Sequence, residues 1–82
     1  DIRNDHELGS GILPGAIHVP LGHLTTVFDQ LPQDKKIVFY CRSGVRSVAA
    51  GEFALAQGRT DVSHLAGGIL AWANAGLPIQ SV

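Results

Sequence analysis

A short apolar run that ends on the chain's only cysteine constrains this sequence more than any other feature. Lys36-Ile37-Val38-Phe39-Tyr40 leads into Cys41, and the polar stretch Arg42-Ser43-Gly44 follows. A continuous run of this length suits a strand buried on both faces of a parallel sheet. Beyond it, Val45, Val48, Ala49, Phe53 and Ala56 recur at helical spacing. Cys41 is therefore expected at the carboxyl end of a central strand, under a loop that opens into a helix.

That placement has chemical consequences. The first turn of a helix leaves backbone N–H groups without partners, and its dipole favours negative charge there. A loop bending into the helix aims further N–H groups inward and forms an anion-binding nest. A cysteine at its mouth should be acidified and nucleophilic. Arg42 and Arg46 add positive charge on either side. A free cysteine is often just a small buried hydrophobe, but a strand-loop-helix junction flanked by two arginines argues against that here.

Three motifs in order carry a resemblance to rhodanese-type sulfurtransferases. Cys41-Arg42-Ser43-Gly44-Val45-Arg46 resembles the family's active-site loop. Leu13-Pro14-Gly15-Ala16-Ile17-His18-Val19-Pro20 resembles an upstream I-P-G-A-x-x-I-P segment, and His64-Leu65-Ala66-Gly67-Gly68-Ile69-Leu70-Ala71-Trp72 a downstream L-x-G-G-x-x-A-W segment. Where relatives commonly carry G-H-I-P, this chain has Gly11-Ile12-Leu13-Pro14, a local packing difference. The resemblance implies an α/β, three-layer rhodanese-like fold with a small parallel sheet and helices on both faces. Residues 1–82 would form a single domain. Asp1-Ile2-Arg3 resembles the end of a strand bearing a D-x-R signature, so the family's N-terminal part is expected to be missing from this chain.

Eighty-two residues make one small domain, near the size at which a single core becomes marginal. A composition 45% hydrophobic and 16% charged reads as a compact chain rather than a disordered one. The formal net charge of −1 gives no footprint for nucleic acid or an anionic membrane surface. No apolar run is long enough to span a bilayer, and no signal-peptide pattern opens the chain. One cysteine excludes an internal disulfide, a two-cysteine redox motif and a cysteine-based zinc site within the chain. His6, His18, His23 and His64 lack paired ligand spacing and read as surface or core histidines, so neither metal nor cofactor is expected. An active thiolate persists best in a reducing compartment, which favours a cytoplasmic setting.

The remaining chain divides as follows. Asn4 to Gly11 reads as a loop with a short helical turn at Asp5-His6-Glu7-Leu8. Pro14-Gly15 signals a turn, after which Ala16 to Val19 reads as a short strand ended by Pro20. Leu24, Val27, Phe28 and Leu31 predict a helix from Gly22 to Leu31. The helix after the cysteine loop should run from Arg46 to Gln57, with Gly58 as its stop. Val62-Ser63-His64-Leu65 reads as the last strand, and Gly67-Gly68 as a sharp turn into a helix from Ile69 to Ala75. No Asp, Glu, Lys or Arg occurs from Val62 onward, so that segment should pack largely against the body of the domain. Trp72 reads as a core or edge anchor.

Under the resemblance, the chemistry is sulfur transfer through a persulfide on Cys41. A thiosulfate-like anion would donate sulfane sulfur, and cyanide, a thiol or a sulfur-carrier protein would accept it. Backbone N–H groups from Arg42, Ser43, Gly44, Val45, Arg46 and Ser47 would hold the anionic sulfur. Arg42 either attracts the donor at the pocket mouth or is a solvated surface arginine. Arg46 is unfavourable to the helix dipole, which points to anchoring of the loop or anion binding. Ser43 and Ser47 either donate to the sulfur or cap the turn and helix. Asp1 and Arg3 either order the loop or form a plain structural ion pair. Two rivals stand beside this reading. A cysteine phosphatase or arsenate reductase uses C-x5-R, but position six after Cys41 is Ser47 and Arg46 falls one residue early. A non-catalytic binding or regulatory module would ordinarily lack the cysteine.

Overall fold

A computed structural model describes every residue, Asp1–Val82. A 3-10 segment, Asp5–Ser10, comes first, followed by α1, Leu21–Val27, which tightens into a second 3-10 turn over Phe28–Gln30. Strand β1, Ile37–Phe39, is joined to β2, Val62–His64, through α2, Val45–Ala56, and α3, Gly68–Asn74, closes the order. The strands lie parallel, with Ile37 opposite Val62, Val38 opposite Ser63 and Phe39 opposite His64. The β-α-β unit and its parallel sheet are those expected of the α/β class.

One face of the sheet carries the core. Phe39 and Cys41 project from β1 and its extension toward Ala50 and Ala54 of α2, Leu24 of α1 and Ile2. Ala50 and Ala54 are fully buried, so small side chains let α2 approach the sheet closely, as the alanine-rich sequence implies. Leu24 is 1% exposed, a burial that contributes about 2 kcal/mol. Phe28 meets Phe53 edge to face with centroids 5.2 Å apart, tying the end of α1 to α2.

Three expectations fail. The apolar run is not buried on both faces: Val38 is 53% exposed, because α1 and α2 lie on the side that Phe39 faces. Ala16 to Val19 is extended but belongs to no strand. Val19 N–H bonds to Asp1 O at 2.9 Å and Leu21 N–H to Ile2 O at 3.1 Å, while Pro20 between them lacks the N–H a ladder requires. The charge-free C-terminal segment is largely exposed, with Leu70 at 42%, Leu77 at 44% and Val82 at 79%. Backbone pairing, not apolar burial, fixes it: Ile12 and Gln80 exchange two hydrogen bonds of 2.9 and 2.8 Å. Trp72 is an edge anchor, its indole N–H donating to Pro78 O at 2.7 Å. No helix is long and apolar enough to cross a membrane.

Candidate active site

Cys41 stands two residues past the end of β1, at the carboxyl end of the sheet, only 1% exposed. Gly44 makes the turn into α2. Its φ of 103° is a left-handed conformation that glycine adopts without strain. The turn brings Gly44 N–H within 3.1 Å of Cys41 Sγ. Burial pushes the thiol up, but the N–H groups of Ser47, Gly44 and Arg46 and the Ser47 hydroxyl outweigh it, holding Cys41 below its ordinary value. Donors to the charged form win over desolvation here.

A second set of bonds ties two of the loop's carbonyls to α3. The first N–H groups of α3 face the loop: Ile69 N donates to Cys41 O at 2.9 Å and Leu70 N to Arg42 O at 3.1 Å. The approach is so close that a Cβ on Gly68 would collide with both carbonyl oxygens. Gly67-Gly68 is therefore more than a sharp turn. It lets α3 dock end-on against the cysteine loop.

The loop side chains separate into distinct environments. Ser47 is completely buried, its Oγ donating to Gly44 O at 3.1 Å and standing 3.8 Å from Cys41 Sγ. Arg46 is engaged by Glu7, with Nη2 on Oε2 at 2.8 Å and Nη1 on Oε1. This pairing raises Arg46 and lowers Glu7 to about 2. Arg42, Ser43 and Val45 are exposed. Arg42 lines a cleft of about 380 Å3 beside the loop, with Arg3, His6, Glu7, Ile69 and Leu70 around it.

Glu7 owes its place to a buried framework at the chain start. Arg3, 1% exposed, donates to both carboxylate oxygens of Asp1, with Nη2 on Oδ2 at 2.6 Å. Its remaining hydrogens reach Gly11 O at 2.8 Å and Glu7 O at 3.2 Å, so the middle of the 3-10 segment and the residue that ends it hang on one guanidinium. Tyr40, next to Cys41, donates its hydroxyl to Asp1 Oδ2 at 2.7 Å. Asp1 and Arg3 are thus a structural ion pair that also orders the loop's surroundings. Glu7 escaped the sequence reading, since nothing local links it to Arg46. His64 escaped it as well, although the β1–β2 register puts it opposite Phe39, two residues before Cys41.

Residues 1–75 match the rhodanese-like domain. The chain belongs to that family. A rhodanese-related protein of Thermoplasma volcanium, known from its crystal structure, superposes with a TM-score of 0.87 at 35% identity, over 95% of this chain and 77% of the other. A sulfurtransferase of Allochromatium vinosum is 42% identical over 79 residues, which span 96% of this chain and 74% of that protein. A structure from Rhodopseudomonas palustris, described as a protein of unknown function and a candidate tyrosine phosphatase, gives a TM-score of 0.88 at 36% identity. That match covers 96% of this chain and 67% of the other. This rhodanese-like domain therefore has relatives of the sulfurtransferase kind.

Proposed function

We propose that this rhodanese-like domain moves sulfane sulfur from a thiosulfate-like anion to cyanide or a thiol, in the cytoplasm, through a persulfide on Cys41. The observation that carries the reading is the Gly44 N–H that donates to Cys41 Sγ at 3.1 Å, in a loop whose donors hold the thiol below its ordinary value. In the first step the Cys41 thiolate attacks the outer sulfur of thiosulfate. The Sγ–S bond forms, the donor's S–S bond breaks, and sulfite leaves with the bonding electron pair. In the second, cyanide attacks the outer sulfur of the persulfide, thiocyanate departs, and the thiolate returns. Charge stays on sulfur throughout, so fixed donors serve both steps. The Arg42 side chain at the cleft draws the anionic donor in, and a small thiol or the terminus of a sulfur-carrier protein suits the same entrance.

The relative described as a candidate tyrosine phosphatase is the reason to weigh phosphate-ester hydrolysis as a second reading. Two observations disfavour it. The loop has one residue fewer than C-x5-R, and the Arg46 guanidinium is occupied by Glu7 rather than free for an oxyanion.

Intact mass after incubation with thiosulfate tests the proposal. One added sulfur atom that cyanide removes as thiocyanate is expected, with no adduct on Cys41→Ser. A folded chain with a free thiol that takes up no sulfur overturns it, and hydrolysis of an aryl phosphate would then favour the second reading.

A further inference from the structure

The proposed reaction needs a thiolate, yet the structure gives the thiol proton no direct way out. Cys41 is 1% exposed, and the backbone group bonded to its sulfur is the Gly44 N–H, which holds an anion but accepts no proton. The side chain that does stand against Sγ is Ser47, itself wholly buried, with Oγ at 3.8 Å. On its far side Ser47 Oγ lies 3.2 Å from Nδ1 of His64. His64 is exposed. A buried thiol, a buried hydroxyl and a solvated imidazole thus form a continuous line from the sulfur to bulk water.

The fold builds this line from three elements. Parallel register sets His64, the last residue of β2, against Phe39 of β1. Leu65 N–H on Phe39 O at 2.9 Å holds that end of the strand in place. Gly44 caps the start of α2 so that Ser47, in its first turn, reaches both Cys41 and His64. The hydroxyl hydrogen has two acceptors at nearly equal range, Gly44 O at 3.1 Å and His64 Nδ1 at 3.2 Å, so a rotation about one bond redirects it.

We propose that His64 is a positioning residue for Cys41, receiving the thiol proton through Ser47. As Cys41 S–H passes its proton to Ser47 Oγ, the Ser47 hydroxyl passes its own to His64 Nδ1. One S–H bond breaks, one N–H bond forms, and the hydroxyl is regenerated. The product is a thiolate and an imidazolium, with no change in net charge, and the exposed ring then exchanges its proton with solvent. The use of this relay in turnover rests on the sulfur-transfer reading above, whereas the coupling itself does not.

The other charges near the line are few. Arg46 of α2 is paired with Glu7 of the first 3-10 segment. Arg42 is exposed on the loop. Glu52 of α2 makes no ion pair with His64, and α3 carries no charged residue.

The test is thiolate absorbance near 240 nm followed against pH, which needs no sulfur donor. His64→Ala, which removes the positive partner, should move the midpoint up by about one pH unit, a tenfold loss of thiolate below it. His64→Asn, which can hydrogen bond to Ser47 but does not titrate, should stay shifted like the alanine variant. A His64→Ala curve that overlays the wild type, or a His64→Asn curve that returns to it, overturns the relay. A second measurement avoids altering His64: the imidazole is titrated by NMR in wild type and in Cys41→Ala. Coupling is reciprocal, so the His64 midpoint should move when the thiol is removed, and an unmoved midpoint also overturns the proposal. A chain with coupled titrations that takes no sulfur from thiosulfate would retain the relay and refute the proposed function; sulfur uptake without coupling would do the reverse.

Discussion

Arg46 is clamped by Glu7, a residue 39 positions earlier, through two parallel hydrogen bonds, the one from Nη2 to Oε2 measuring 2.8 Å. The fork neutralises a cation that the start of α2 disfavours and holds the cysteine loop to the first 3-10 segment. Glu7 is lowered to about 2 chiefly by the Arg46 hydrogen bond. A carboxyl depressed in the folded state contributes stability that is complete above its ordinary value of 4.5 and lost as pH falls through 2. Glu7→Gln should therefore cost roughly 1 kcal/mol at neutral pH, a modest value because the pair is partly solvated. Urea denaturation of both proteins checks this. Their stability difference should narrow below pH 4.5 and be mostly gone at pH 2, and a constant difference would contradict it.

Two glycine substitutions should act in opposite directions. Gly68 has φ +60° and its Cβ would enter the Cys41 and Arg42 carbonyls, so Gly68→Ala should destabilise by roughly 1–3 kcal/mol. Gly51 lies inside α2, and a methyl group added there would meet no atom within 4 Å outside the helix's own backbone. Gly51→Ala should raise stability by about 0.5–1 kcal/mol. Thermal melts of the two variants give the signs directly.

Under the proposed reaction, Arg42 contributes charge rather than geometry, since its exposed side chain takes part in no hydrogen bond or ion pair. Arg42→Ala should raise KM for thiosulfate several-fold with kcat nearly unchanged. Added salt should bring the wild-type KM toward that of the variant. Steady-state kinetics at low and high ionic strength separate this role from a structural one.

Arg3 is the side chain whose loss should cost most. Removing it leaves the Asp1 carboxylate buried, with Tyr40 O–H and the backbone N–H of residue 3 as its remaining donors, and frees Gly11 O and Glu7 O. Breaking a buried pair from one side costs about 3–5 kcal/mol, enough to unfold much of a domain this small. Urea titration of Arg3→Ala should show that loss, and a midpoint close to wild type would show that water replaces the guanidinium.

The cysteine site was legible in the sequence because its parts are local: an apolar run, a cysteine, a glycine turn and a helical repeat fall within one stretch. Gly44 and Gly67-Gly68 were readable as turns, but the docking of α3 on the loop was not, since it joins backbone atoms of separate motifs. The Glu7–Arg46 pair and the approach of His64 to Ser47 depend on strand register and on where Arg3 suspends the first 3-10 segment. Neither is encoded in neighbouring residues. Val38 and the C-terminal tail misled for a common reason. Apolar composition tells what a segment tolerates, while burial depends on whether another element lies above it.

The bonds from Ile69 and Leu70 N–H to the carbonyls of Cys41 and Arg42 bear on how the site meets change. The two peptide units that follow Cys41 are already pinned, so under the proposed reaction they would have no reorientation left to make as the sulfur gained or lost an atom. Under the proposed reaction, that part of the site would meet the lengthened side chain as it had met the shorter one.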